Sequence, residues 1–186
     1  MRSRTPSIIL VGILFLTPFV LPAQQGATPS VAGSHGHAES ALSAKATLTL
    51  LSFSDPKPVV LSPDELKTLS HISVTIHNSH TNADETYSGV RLSDLLTKLG
   101  APLGSELRGK ALAGYVVATG SDGYKAVLAL GEVDPGFHSG EVLVADTIDG
   151  KPLDAHSGPF KLVVTEDKRP ARSVRNLVSI ELKEVN

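Results

Sequence analysis

The side chains of this chain best suited to chemistry are its histidines. His77 and His80 stand three apart at the end of an alternating segment, with Asp84 and Glu85 close behind. Imidazole is the main transition-metal ligand when thiolate is absent. A pair at i and i+3 can converge on one ion if the loop between them turns, so a divalent-metal site at His77 and His80 is one reading and ordinary loop histidines are the other. His138 and His156 fall in separate loops, with no third ligand at a defined spacing. His35 and His37 flank Gly36 in a stretch poor in large apolar residues, where a two-ligand site is weak. The chain contains no cysteine. That removes disulfides, iron–sulfur clusters, thiolate-ligated zinc, copper or molybdenum, and a cysteine nucleophile. No Ser-His-Asp spacing, Gly-Xaa-Ser-Xaa-Gly elbow, His-Glu-Xaa-Xaa-His motif or P-loop occurs.

The elements that must position these residues follow from periodicity. With 186 residues, 41% hydrophobic, 16 Gly and 12 Pro, one turn-rich globular domain is expected. Thr47 to Phe53 alternates as a strand, and Asp55-Pro56-Lys57-Pro58 stops it. Ser62-Pro63-Asp64-Glu65 supplies an N-cap serine, a proline at the first helical position and a glutamate three after the cap, so a short helix starts there. Ile72 to His77 alternates as a second strand and leads into a polar loop from Asn78 to Glu85, a natural place for a site. Leu92, Leu95, Leu96 and Leu99 repeat at i, i+3, i+4 and i+7, which predicts an amphipathic helix with a leucine face in the core. Gly114 to Thr119 and Tyr124 to Leu130 flank Gly120-Ser121-Asp122-Gly123, the composition of a hairpin turn. Val142 to Ala145, Phe160 to Thr165 and Val178 to Leu182 complete about seven strands with two or three short helices. Strands and helices do not alternate regularly, so an α+β domain with a mixed sheet is expected, with a β-sandwich bearing helical loops as the alternative.

The ends carry a different message. Arg2 and Arg4, the apolar run Ile8 to Leu21 and the small residue Ala23 predict a secretory signal peptide over 1–23, cleaved to leave no membrane span. Residues 24–45 form a Gly/Ser/His leader unable to bury enough surface to offset its ordering entropy, and the folded domain is expected over 46–186. Without Arg2 and Arg4, 15 basic residues face 19 acidic ones, a net of −4. A mildly acidic domain with no basic block argues against nucleic acid. A periplasmic or secreted location is expected.

Six segments in order carry a resemblance: Tyr87-Ser88-Gly89-Val90-Arg91-Leu92-Ser93-Asp94-Leu95-Leu96, Ser121-Asp122-Gly123-Tyr124, Val142-Leu143-Val144-Ala145, Asp149-Gly150-Lys151-Pro152-Leu153, Gly158-Pro159-Phe160-Lys161-Leu162-Val163-Val164 and Arg172-Ser173-Val174-Arg175-Asn176-Leu177-Val178-Ser179-Ile180. Together they resemble the oxidoreductase molybdopterin-binding domain of the sulfite oxidase type. The resemblance implies a mixed α+β domain that holds a molybdenum–pterin cofactor and acts on small oxo-compounds. It implies one cysteine ligand to molybdenum, in the loop after the strand that corresponds to Ile72 to His77, where this chain has His77-Asn78-Ser79-His80. It implies a pterin phosphate gripped by basic residues near the final strands: Lys161 stands where the family usually has an arginine after Gly-Pro, and Arg172 and Arg175 stand where it has a basic pair. With Lys168 and Arg169 they would form an electropositive patch. The Asp122-Gly123-Tyr124 turn would border the pocket, where Tyr124 can donate a hydrogen bond; structurally it is a hairpin turn.

Three functions are consistent with these residues. One is an exported domain of this fold, without molybdenum redox chemistry, that binds a small anionic ligand or a protein partner. Another is a molybdopterin-dependent oxidoreductase with an atypical site lacking cysteine. The third is a histidine-based periplasmic binder of a divalent metal. The missing soft thiolate favours the first, in which Lys161, Arg172, Arg175 and Tyr124 share one depression near the His77 loop.

Overall fold

The computed structural model describes residues 46–185. The expected signal peptide and leader lie outside the described residues. Ten strands form two sheets among the described residues: β1 (Leu48–Ser52), β2 (Val59–Leu61), β3 (Ile72–Asn78), β4 (Ala83–Arg91), β5 (Tyr115–Gly120), β6 (Lys125–Ala129), β7 (Val142–Ile148), β8 (Lys151–Pro152), β9 (Lys161–Val164) and β10 (Leu177–Lys183). One sheet runs β2-β1-β10-β5-β6; the other runs β3-β4-β7, with β8 and β9 both on the far edge of β7. The pairing of β1 with β10 is parallel, and the other ladders are antiparallel. Three short α-helices, α1 (Pro63–Lys67), α2 (Leu92–Lys98) and α3 (Leu130–Val133), join the strands. This is the expected α+β domain of mixed sheets. No helix among the described residues is long and apolar enough to cross a membrane.

Helix α1 starts as its residues dictate: the Ser62 hydroxyl accepts from the Glu65 N–H at 3.2 Å, and the Ser62 N–H donates to the Glu65 carboxylate at 2.7 Å. The leucine face of α2 is fully buried at Leu92, Leu95 and Leu96. It joins inward residues of both sheets, among them Leu48, Leu50, Val116 and Ile180 from the first and Val90, Val144 and Leu162 from the second. Burial of each such leucine stabilises the fold by roughly 1.5–3 kcal/mol. A smaller cluster occupies the opposite face of the second sheet: Tyr87, Leu143, Ala145 and Val163, flanked by half-buried Ile72, Val74, Ile76, Ile148 and Leu153.

The segment from Asn78 to Glu85 is not the loop expected from its polar composition. It is a tight connection, Ser79 to Asn82, and the chain returns as the nine-residue strand β4. Asn82 makes the reversal with φ of 51°, a conformation asparagine tolerates. Strand β4 escapes a period-two pattern because Gly89 and Val90 are buried in succession beside a bulge in its ladder with β7. The short strands β2 and β8 were likewise not expected.

Candidate functional site

The alternation of β9 points Lys161 and Val163 to the outer face of the second sheet, and Lys161 faces Ala145 of β7. There Lys161 Nζ donates to the Tyr87 hydroxyl at 2.6 Å and lies 4.3 Å from the centroid of its ring. The Tyr87 hydroxyl donates in turn to Glu85 Oε2 at 2.7 Å, and Asn78 Nδ2 donates to Glu85 Oε1 at 2.6 Å. A continuous chain Lys161–Tyr87–Glu85–Asn78 therefore crosses from β9 to β3. Burial, then hydrogen bonding to Glu85, raises the Tyr87 phenol above its ordinary range, so it stays protonated at neutral pH. Burial holds the Lys161 amine below its ordinary range, and the nearby charge of Arg175 adds to this against Glu85 and Asp154.

Arg175 is exposed and contacts the His156 ring through its guanidinium. Its segment is tied to the loop before β9: Asn176 N–H donates to the Ser157 carbonyl at 2.9 Å, and Asn176 Nδ2 to the His156 carbonyl at 2.8 Å. That loop supplies Asp154 and Ser157 to a cleft of about 240 Å³, walled also by Tyr87, Ile148, Asp149, Lys151, Pro152 and Leu153. Neither Lys161 nor Arg175 forms a salt bridge among the described residues.

Arg172 is placed differently. Its guanidinium donates to both oxygens of Asp167, at 2.9 and 2.6 Å, and to Glu132 at 2.7 Å. The hydrogen bond from Arg172 holds the Asp167 carboxyl below its usual range; burial pushes Glu132 up, but bonds from Arg172 and the Ala129 N–H outweigh it. Tyr124 belongs to this second cluster, since its hydroxyl donates to the Ala171 carbonyl at 2.6 Å. Asp122 accepts from the Tyr124 N–H at 2.9 Å and closes the hairpin turn, where Gly123 takes φ of 82°. The expected single depression is thus divided. Lys161 lies against Tyr87 and Arg175 is exposed beside His156, while Arg172 is neutralised near Tyr124; Lys168 and Arg169 are exposed on the connection between β9 and β10.

The histidines do not converge. His77 points away from Asn78 and pairs with Asp84 at 2.8 Å, both exposed, while His80 contributes its backbone N–H to Asn78. His138 pairs with Glu166 at 3.4 Å. Among the described residues, no group of three or more His, Cys, Asp or Glu is arranged to hold a metal. A larger groove of about 670 Å³ over β1 and β10, lined by Thr47, Thr49, Ser121, Pro159, Asn176 and Val178 among others, contains no charged side chain.

Tyr87 and Glu85 are the site residues that periodicity missed. Tyr87 opens the first segment of the family resemblance, which was the available signal, but its partner Lys161 is 74 positions away.

No curated protein matches the sequence. The fold is similar to that in the crystal structure of the sulfane dehydrogenase SoxCD from Paracoccus pantotrophus, with a TM-score of 0.58 at 17% identity over 77% of this chain. The similarity spans 40% of that chain, and at this identity it speaks for the fold alone. The sequence model of the oxidoreductase molybdopterin binding domain matches residues 51–186, and the chain belongs to that family.

Proposed function

We propose that this is an exported member of the family that binds a small anionic ligand at Lys161 and Arg175 and does not carry out molybdenum redox chemistry. One contrast carries the reading: Arg172 is held by two carboxylates, whereas Lys161 and Arg175 have no carboxylate partner among the described residues, and Tyr87, which accepts from Lys161, walls a small cleft. Unpaired cations near a concave surface attract anions, and charge-assisted hydrogen bonds then fix them. Arg175 offers a guanidinium fork from the exposed side, and Lys161 approaches from the sheet.

The family implies a molybdenum–pterin cofactor, and the residues here do not fit it. The donors after β3 are imidazole and amide in place of thiolate, and His77 is already bonded to Asp84. Arg172, one of the three positions where a pterin phosphate would be gripped, is engaged by Glu132 and Asp167. No step is routed through the cofactor.

Calorimetric titration of the full chain with glycolate or inorganic phosphate tests the site. Lys161→Gln and Arg175→Gln are each expected to weaken binding about tenfold, as loss of one charge-assisted hydrogen bond of ~1.5 kcal/mol. Arg172→Gln should leave affinity unchanged. Equal affinity in all three variants would remove the site, and stoichiometric molybdenum with a fluorescent pterin in protein from its native compartment would overturn the reading.

A further inference from the structure

Five strands lie at sheet edges among the described residues, β2, β6, β3, β8 and β9. All but one are short or blocked. Strand β2 has three residues between Pro58 and Pro63, and β8 has two, one of them Pro152. The outer side of β9 is taken by the chain before β10: Leu162 N–H donates to the Val174 carbonyl at 2.8 Å, and Val164 N–H to the Ser173 hydroxyl at 3.2 Å. Strand β6 starts at Lys125 and passes directly into α3. Proline, lysine, shortness and cover are the usual means by which an edge is kept from pairing with another chain.

Strand β3 has none of them. Its seven residues, Ile72–Asn78, pair with β4 without a bulge and, among the described residues, with nothing on the other side. Alternate residues of such an edge direct their N–H and C=O groups away from the sheet. Ser73 and Thr75 are exposed on one face, and half-buried Ile72, Val74 and Ile76 extend the Tyr87 cluster on the other. No residue from Ile72 to Ile76 is charged.

We propose that β3 is the interface of a symmetric dimer, pairing antiparallel with β3 of a second copy about a two-fold axis at Val74. The sequence Ile72-Ser73-Val74-Thr75-Ile76 identifies the occupant, because it reads nearly the same in both directions. A patch that meets itself across a two-fold axis must be self-complementary in this way. Ile72 then faces the second copy's Ile76, Ser73 its Thr75, and Val74 its Val74. Apolar side chains meet on one face and hydroxyls on the other, the pairs that stabilise an antiparallel ladder. At the ends His71 is bonded to Asp146 at 3.2 Å and His77 to Asp84 at 2.8 Å, so each imidazole keeps a carboxylate of its own chain. Directly opposed residues point to the same face of a sheet, so the two Tyr87–Lys161 faces lie on one side of a continuous sheet. The edge is about 23 Å long at ~3.3 Å per residue. One strand junction of that length buries less than the ~1,200 Å² at which stable interfaces begin, so the dimer is weak and forms as the concentration rises.

Sedimentation velocity of the full chain at micromolar to millimolar concentrations tests the proposal, with hydrogen exchange of the β3 amides followed in parallel. The parent is expected to pass from monomer to dimer, and the β3 amides that face away from β4 to gain protection over the same range. Ser73→Lys with Thr75→Lys sets like charges opposite each other twice and should weaken the dimer at least about tenfold. Ser73→Lys with Thr75→Glu places each lysine opposite a glutamate and should restore it. Both positions are exposed, so the fold of the monomer, checked by circular dichroism, is expected to survive either pair of changes. A parent that stays monomeric, or a dimer that responds equally to the two double variants, overturns the proposal. Outward amides already protected in the monomer would mean that another segment of the same chain covers the edge, which overturns it too.

Discussion

Arg172 and Asp167 meet fork to fork, Nε with Oδ2 at 2.9 Å and Nη2 with Oδ1 at 2.6 Å, and Glu132 takes the third donor of the same guanidinium. The contact ties the connection before β10 to α3 and removes Arg172 from the cations open to a ligand. The two neighbouring basic residues of one motif therefore have different fates: Arg172 holds the fold together, and Arg175, three residues on, faces outward.

The first prediction concerns acid. A carboxyl whose pKa is depressed on folding contributes stability above its unfolded value and loses it as the pH falls through the folded one. The ordinary values are 3.8 for Asp167 and 4.5 for Glu132, and both are lowered here. Asp167→Asn is expected to lose about 1–2 kcal/mol at neutral pH, a charge-assisted pair discounted for partial exposure. The difference from the parent should shrink as the pH falls below 3.8 and through the lowered value of the folded carboxyl, where the parent becomes protonated as well. Urea denaturation across this range checks it; a difference that stays constant means that the fork does not form in solution.

The leucine face of α2 gives the second. Leu95 is fully buried, and Leu95→Ala should destabilise by about 2–5 kcal/mol, the transfer term plus the cavity left behind. A change well below 1 kcal/mol on denaturation would place the core elsewhere.

Gly89 gives the third. A Cβ there would lie 2.2 Å from the Val144 carbonyl oxygen and 2.5 Å from Ala145 Cα, so the obstacle is the backbone of β7. Gly89→Ala must spread the β4–β7 ladder and is expected to cost at least about 3 kcal/mol, the upper part of the range for overpacking. Thermal unfolding measures it, and a near-neutral result would show that the two strands sit farther apart.

These predictions separate what was legible in the sequence from what was not. The cap at Ser62 and Glu65, the leucine repeat of α2 and the β5–β6 hairpin are local patterns, and local patterns survive into the fold. Strand β4 was illegible because its bulge buries Gly89 and Val90 in succession, and burial on both faces erases the alternation that marks a strand. The grouping of Lys161, Arg172 and Arg175 as one patch failed for another reason. Charge sign is visible in sequence, but Glu132 is 40 positions from Arg172 and only the fold brings it within 2.7 Å. Tyr87 was hidden in the same way, since its value to the site depends on β4 and β9 flanking β7.

The last prediction returns to Lys161. Its amine pKa is lowered by burial and by Arg175, with Glu85 and Asp154 pulling the other way. Between that lowered value and the ordinary 10.5, the unfolded chain holds a proton that the folded chain lacks, so the parent gains stability as the pH rises through this window. Lys161→Met removes the titrating group and with it the gain. The stability of the variant relative to the parent is therefore expected to be highest near pH ~7 and to decline as the pH is raised to about 10. Guanidinium denaturation of both proteins at several pH values reads this slope directly. The absolute offset also includes the lost bond to Tyr87, but that bond does not introduce a slope of the opposite sign, because the phenol remains protonated across the range. A relative stability independent of pH would mean that Lys161 is solvated like any surface lysine.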